Sequence, residues 1–339
     1  MPKKILVIGG AGYVGSALVP KLLNKGHYVR VLDTFWFGEN IFKGYLYSWP
    51  VEKPMRLQLV RGDIRDFDLK GIMAGMDVVI HLACISNDPS FELNPKLGKS
   101  INYDAFLRVI EAVQAAKVGR FIFASSSSVY GIKKGDVKVT EELSLEPLTD
   151  YSKYKAFCEM ELRLIPQDKM SWVIVRPATV CGYALRLRLD LTVNILTMAA
   201  LTKGEITVFG GSQKRPNIHI DDMTDLYVKL IDEPGEKIFG ETFNAGANNF
   251  SVMEIAQMVK NAVEKHKKTK IEIKVKPTSD LRSYHISSEK IFKKIGWRPQ
   301  RTIADAINSL INAFENRCIP NPDDPKYINI KTMQILNIH

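Results

Sequence analysis

Residues 4–33, KILVIGGAGYVGSALVPKLLNKGHYVRVLD, constrain the fold more than any other stretch of the chain. Ile5-Leu6-Val7-Ile8 is a short apolar run that stops at Gly9-Gly10, the pattern of a strand buried on both faces. Val14, Leu18, Leu22 and Leu23 then recur at helical spacing, and Asn24-Lys25-Gly26 closes that helix. A second strand, Tyr28 to Leu32, ends in Asp33. Gly9, Gly12 and Gly15 fit G-x-x-G-x-x-G, and Gly10, Gly12 and Gly15 fit G-x-G-x-x-G. A pyrophosphate must rest on backbone N–H groups at a helix N-terminus, and a Cβ there would hold it off. An acid after the second strand accepts hydrogen bonds from ribose hydroxyls and repels a 2′-phosphate. The unit predicts dinucleotide binding, with NAD as the cofactor. Met-Pro-Lys-Lys before an apolar run also suggests a signal peptide, but glycines and an amphipathic helix follow where a cleavage site should be.

The chain continues in the same rhythm. Strands are predicted at residues 57–60 and 77–84, at Arg120–Ala124 and at Trp172–Pro177, with helices at 95–117 and from Asp150 onward. Such alternation predicts an α/β fold with a doubly wound parallel sheet. After Thr179 the elements shorten, which predicts a smaller mixed α/β domain at 179–318, interleaved with the last strands of the first domain, 1–178. Residues 319–339 read as a polar tail. Substrate is expected in the cleft between the domains. Asp63, after the third strand, either hydrogen-bonds an adenine amino group or caps a helix. His81 lies within the fourth strand and reads as a satisfied core histidine. Asn102 is the polar exception in the 95–117 helix.

Composition excludes several classes. Cys84, Cys158, Cys181 and Cys318 lie far apart and form no C-x-x-C, which predicts reduced thiols, no metal and a cytoplasmic location. No apolar run approaches the ~20 residues of a membrane span. The net charge of +10 raises the question of nucleic acid. The basic residues are dispersed, however, and their densest cluster contains KIEIKVK, an alternating strand with a solvated face. No nucleic-acid partner is expected.

Tyr151-x-x-x-Lys155 is the second strong signal. Tyr130/Lys134 and Tyr327/Lys331 match the same pattern, but only Tyr151 opens a helix, where the spacing puts phenol and ammonium on one face. A phenol with a pKa near 10 is a poor base at neutral pH. A neighbouring ammonium and a nicotinamide cation both favour the phenolate. Tyr151 can then take a proton from a sugar hydroxyl as hydride leaves the same carbon, with a serine from 125–128 orienting the oxygen.

The motifs GGAGYVG, Asp33, GDIRD, HLAC, Asn102, SSSSVYG, YSKYK, RPATVCG, QKRPNIHIDD and DLRSYHISSEKIFKKIGWRP occur in one order over nearly the whole chain. In this the chain resembles the extended short-chain dehydrogenases/reductases, and within them the NAD-dependent nucleotide-sugar epimerases and dehydratases. The resemblance implies a Rossmann fold with Ser126, Tyr151 and Lys155 as catalytic residues. It implies cofactor contacts from Gly9, Gly12, Tyr13, Val14, Asp33, Asp63, Ile64, Leu82, Ala83, Asn102, Tyr151 and Lys155. A nucleotide-diphosphate sugar would meet Ser127, Ser128, Thr179, Arg186, Arg188, Arg215 and Arg282, with Arg215 and Arg282 on the diphosphate. Two helices, near 95–117 and 150–164, would pair a homodimer.

Where the family's 4,6-dehydratases carry an Asp-Glu pair, this chain has Ser127 and Ser128, so dehydration is not expected. Thr179 replaces the usual asparagine, and Leu185-Arg-Leu-Arg-Leu-Asp190 is more basic than in ordinary galactose epimerases. The implied activity is epimerisation at sugar C4 through a keto intermediate. A 4-dehydrogenase or ketoreductase is the alternative; a non-catalytic NAD-binding module would be expected to lose Tyr, Lys or the hydroxyl, and an RNA-binding member of the fold is a third option.

Overall fold

The computed structural model describes residues 1–50, 55–133, 138–166, 168–278 and 285–338. Strand Lys4–Ile8 pairs in parallel with Tyr28–Asp33 on one side and Val78–His81 on the other. It belongs to a seven-stranded sheet ordered Glu241–Ala245, Trp172–Pro177, Arg120–Ala124, Val78–His81, Lys4–Ile8, Tyr28–Asp33, Leu57–Arg61. All pairings in it are parallel. The apolar run in the first strand has the consequence expected of it. Ile5 and Val7 pack with Leu18 and Leu22 on one face, while Leu6 and Ile8 pack with Phe106 and Phe121 on the other. The sheet is doubly wound. Its strand order reverses between Lys4–Ile8 and Val78–His81, so a crevice opens at the carboxyl ends of those two strands.

A third core, with Val193, Leu196, Ile255, Val259 and Leu310, lies outside that sheet. There Thr179–Cys181 runs parallel to Lys214–His219, which pairs antiparallel with Asn248–Ser251. Glu205–Phe209 pairs with Glu272–Lys276, the alternating basic strand read from sequence, and four of the latter's five residues are exposed. Strand Glu241–Ala245 returns to the edge of the large sheet, so the chain weaves between the two regions. Local propensity does not announce Lys214–His219 as a strand. Pro216 and two cations mask its strand character, and burial of Asn217, Ile218 and His219 supplies what propensity does not.

Two further expectations need correction. The 95–117 helix is not continuous: Pro95–Lys99 and Ala105–Ala115 flank a π-helical turn, Ser100–Asp104. Residues 319–338 are not a loose tail. Ile319, Tyr327 and Met333 are buried, and helix Asn329–Ile335 packs on Asp88–Leu93. Three isolated apolar side chains anchor this segment, too few to show as a periodic pattern. Among the described residues no helix is long and apolar enough to cross a membrane.

Candidate active site

Helix Tyr13–Asn24 starts at Gly12 with no side-chain cap, which leaves its first N–H groups for a ligand. Gly9 has φ of +79°, and a Cβ on it would stand 2.5 Å from the backbone nitrogen of Ala83. The neighbouring strand end therefore comes into contact with the turn only because Gly9 lacks a side chain. The Asp33 carboxylate accepts from Ala11 N at 2.9 Å and from Phe35 N at 2.8 Å. Burial pushes its pKa up, and those two N–H groups, followed by Arg186, act against that shift. A glycine cradle, an open helix N-terminus and an acid on the next strand fit the pyrophosphate and ribose of a dinucleotide.

A cavity of about 520 Å³ joins this cradle to the second signal. Gly9, Gly12, Tyr13, Val14, Asp33, Asp63, Ile64, Leu82 and Ala83 line it, and so do Ser126, Ser127, Ser128, Tyr151, Lys155, Thr179, Arg186, Arg188 and Arg215. Arg282 lies outside the described residues. Asn102 does not line the cavity, contrary to expectation. Its Oδ1 accepts from Ile85 N at 2.8 Å and its Nδ2 donates to Ile85 O at 3.0 Å, so it fixes the loop that follows the fourth strand. The π-helical turn aims it there. Asp63 lines the cavity but is held by Arg65, whose hydrogen bonds pull its carboxyl below the usual range against the effect of burial.

Thr149 caps the helix Asp150–Leu164 reciprocally with Ser152, which places Tyr151 in the first turn and Lys155 one turn later. The Lys155 ammonium donates to Ala124 O at 2.7 Å, at the end of the fifth strand. Ser126 Oγ and Ser128 Oγ are 2.8 Å apart, and Ser128 N donates to Ser126 Oγ at 3.1 Å. Burial pushes the Tyr151 phenol far above its ordinary pKa. The Ser126 hydroxyl, in hydrogen-bond contact with it, and Arg188 act in the opposite direction. Burial therefore favours the neutral phenol. The Ser127/Ser128 positions bring no carboxylate to the site, and Asp190, which does line it, is paired with Arg188.

Other polar residues have duties that sequence patterns did not reveal. Ser125 Oγ donates to Glu159, Glu159 pairs with Arg176 at 2.5 Å, and Arg176 donates to the Tyr130 hydroxyl. This buried chain braces the strand ends beneath Ser126. His81 is in the core, as expected, but is not satisfied. It stacks on Phe121 and Phe123, and its Nδ1 has no hydrogen-bond partner among the described residues. Burial pushes its pKa down to about 3. Asn329 reaches the cavity from the C-terminal segment, and no local motif announces it.

The family profile described as "NAD dependent epimerase/dehydratase family" matches residues 5–246. An uncharacterized UDP-glucose epimerase of Bacillus subtilis (strain 168) is 33% identical over 266 residues, 76% of this chain and 81% of the relative. A UDP-glucose 4-epimerase of Mycolicibacterium smegmatis is 29% identical over 324 residues, covering 93% and 99% of the two chains. Among solved structures, UDP-glucuronic acid 4-epimerase from Bacillus cereus in complex with UDP-glucuronic acid and NAD superposes with a TM-score of 0.80 at 27% identity, covering 92% and 99%.

Proposed function

This chain belongs to the NAD-dependent epimerase/dehydratase family, and from that premise we propose that it is an NAD-dependent nucleotide-sugar epimerase that inverts the sugar at C4. One observation carries the reading: the dinucleotide cradle and the Ser126–Tyr151–Lys155 group line a single cavity, which has room beyond them beside Thr179, Arg188 and Arg215. Relatives of the same length are UDP-glucose 4-epimerases, and a solved neighbour holds UDP-glucuronic acid with NAD.

Gly9, Gly12 and the N–H groups of the first helical turn would hold the cofactor pyrophosphate, and Asp33 its ribose. When bound, NAD⁺ accepts hydride from C4, returns it, and by its positive charge favours the Tyr151 phenolate. Tyr151 takes the proton of the C4 hydroxyl, and Ser126 hydrogen-bonds the reacting oxygen and holds it in line. Lys155 positions the end of the fifth strand through Ala124 and lies beside the phenol's helix turn. The resulting 4-keto sugar turns in the cavity and receives the hydrogen on its other face, while Tyr151 returns the proton. Arg215 contributes positive charge for the diphosphate. The pair of serines at 127 and 128 supplies neither acid nor base for loss of water across C5–C6.

The protein acts as a homodimer in this proposal. Phe157, Met160 and Leu164 are exposed on one face of helix Asp150–Leu164, beside the partly buried Tyr103 and Tyr154. The test of function is turnover of UDP-glucose and UDP-glucuronic acid by the protein as purified, followed by NMR at sugar C4. Inversion without added NAD supports the reading. Accumulation of a keto sugar with reduced cofactor, and no inversion, makes it a 4-dehydrogenase instead.

A further inference from the structure

Two arginines, Arg186 and Arg188, enter the cavity from the loop after Thr179–Cys181, and their surroundings differ. Arg188 is engaged on every side: Nε and Nη2 donate to Asp190 at 2.9 and 3.1 Å, and Nη1 donates to Ser86 Oγ at 3.0 Å. Arg186 is 4% exposed, yet its Nε has no partner among the described residues. Its guanidinium lies 4.2 Å from the centre of the Phe37 ring, and its charge acts on Asp33. Its backbone N–H donates to Ser16 Oγ at 3.0 Å, so this loop crosses the first turn of the helix that begins at Gly12. Arg186 thus belongs to the dinucleotide end of the cavity, not to the substrate end where the sequence put it.

The C-terminal segment holds it there. Arg186 Nη2 donates to Asn329 Oδ1. Asn329 also donates from Nδ2 to Ser86 Oγ at 3.0 Å and from its backbone N to Asp190 at 3.3 Å. Leu189 N donates to Tyr327 O at 2.8 Å. Asn329 and Met333 both line the cavity. We propose that Arg186 grips the pyrophosphate of the bound dinucleotide, and that the segment around Asn329 straps that arginine and its loop across the cofactor so that it is retained between turnovers.

The chemistry is consistent with an anion as the missing partner. A buried guanidinium beside a second buried guanidinium is an unfavourable arrangement; burial first and Arg188 second push Arg186 down to about 9. Phosphate oxygens in the cavity that Arg186 lines would accept from its guanidinium and relieve the repulsion in one contact, with the fixed geometry that Arg offers and Lys does not. Release of the dinucleotide then requires the Asn329 hydrogen bonds to part.

This inference rests on the NAD-dependent reading of the site, and its test separates the two. The full chain and its Arg186→Met, Arg186→Lys and Asn329→Ala variants would be desalted at rising ionic strength. NAD retained per chain would be measured after acid release, and Kd and dissociation rate measured on stripped protein. Arg186→Met should weaken NAD binding by roughly 10- to 100-fold, the worth of a charge-assisted hydrogen bond, with partial recovery in Arg186→Lys. Asn329→Ala should raise the dissociation rate in the same direction. If Arg186→Met keeps wild-type NAD affinity and loses affinity for the UDP moiety, the clamp is wrong. An unchanged dissociation rate in Asn329→Ala removes the strap. Should Arg186→Met not fold, the Arg186→Lys and Asn329→Ala measurements decide alone. Wild-type epimerisation with unmoved NAD retention in all variants defeats this inference only; the predicted NAD losses with no sugar inverted by the wild type defeat the functional reading only.

Discussion

The Tyr130 hydroxyl donates to Asn244 Oδ1 across 2.7 Å and accepts from Arg176 Nη1 at the same distance. Both its roles are taken inside the core, so the tyrosine that shares the spacing of Tyr151 has no hydroxyl to offer a substrate. Tyr151→Phe should lower activity by ~10²–10⁴, the loss typical of an acid/base group, and leave NAD binding nearly unchanged. Tyr130→Phe should keep activity per folded molecule and cost roughly 1–3 kcal/mol of stability, because Asn244 and Arg176 lose a buried partner. Steady-state kinetics and denaturant melts on the two variants check this; a collapse of kcat in Tyr130→Phe with stability intact would reverse the assignment.

The first strand, the glycine turn and the helix at Asp150 were legible because each is local. Ile5 to Ile8 announce a buried strand by themselves, and Thr149 and Ser152 cap the catalytic helix within four residues. The bonds of Asn102 to Ile85 were not legible, since only the π-helical turn directs its amide to that loop. The pairing of Arg186 with Asn329 was beyond reach for a different reason. Their hydrogen bond joins positions 143 residues apart, and neither flanking segment carries a periodic pattern that would place it over the cofactor cradle.

Ser126 makes the hydrogen bond that favours ionisation of Tyr151, against a burial that opposes it. In the proposed mechanism the phenolate is the base, so kcat/KM should rise with pH along the limb that this group controls. Ser126→Ala removes the favourable bond, so its limb should move to higher pH as well as lower the rate. A profile measured across the alkaline range, with the same nucleotide sugar, decides the point. A shift to lower pH would mean that the serine stabilises the neutral phenol.

Asp33 accepts two backbone N–H groups and lines the cavity beside the glycine turn, where an acid takes ribose hydroxyls and repels a 2′-phosphate. NAD should therefore bind more tightly than NADP. Asp33→Ser should narrow that preference by roughly tenfold or more, about 1.4 kcal/mol, because the carboxylate that would repel the added phosphate is gone. Isothermal titration of stripped protein with each dinucleotide tests it. Tighter NADP binding by the unaltered protein would overturn the role given to the acid.

His81 is held neutral in the core, with its pKa pushed from 6.5 down to about 3. The unfolded chain therefore binds a proton at this position below pH 6.5 that the folded chain refuses. Stability should be full above that value and fall as pH drops from 6.5 toward 3. His81→Leu removes the proton uptake and the orphaned Nδ1 together. The difference in unfolding free energy between about pH 7 and pH 4.5 should shrink by about 1 kcal/mol or more. Urea melts at the two pH values measure it, and an equal acid loss in wild type and variant would show that other groups govern it.

The outer face of the catalytic helix carries the last prediction. Phe157, Met160 and Leu164 are 42%, 58% and 78% exposed, and their spacing of three and four residues sets them in one stripe. Single exposed apolar residues need no explanation, but a stripe continued by Tyr154 and Tyr103, whose rings are 5.8 Å apart, is a patch that water does not favour. Tyr103 donates to Glu161 at 2.8 Å, which fixes its ring against the same helix and flattens the surface. A second copy presenting the same two helices about a two-fold axis covers this patch without new chemistry. Light scattering at micromolar concentration should give twice the chain mass, and Met160→Glu with Phe157→Glu should give the monomer. NAD content should not change in the double variant, because Tyr151 and Lys155 face the cavity from the opposite side of the helix. A wild-type mass of one chain would leave the stripe without a partner copy and end the dimer proposal.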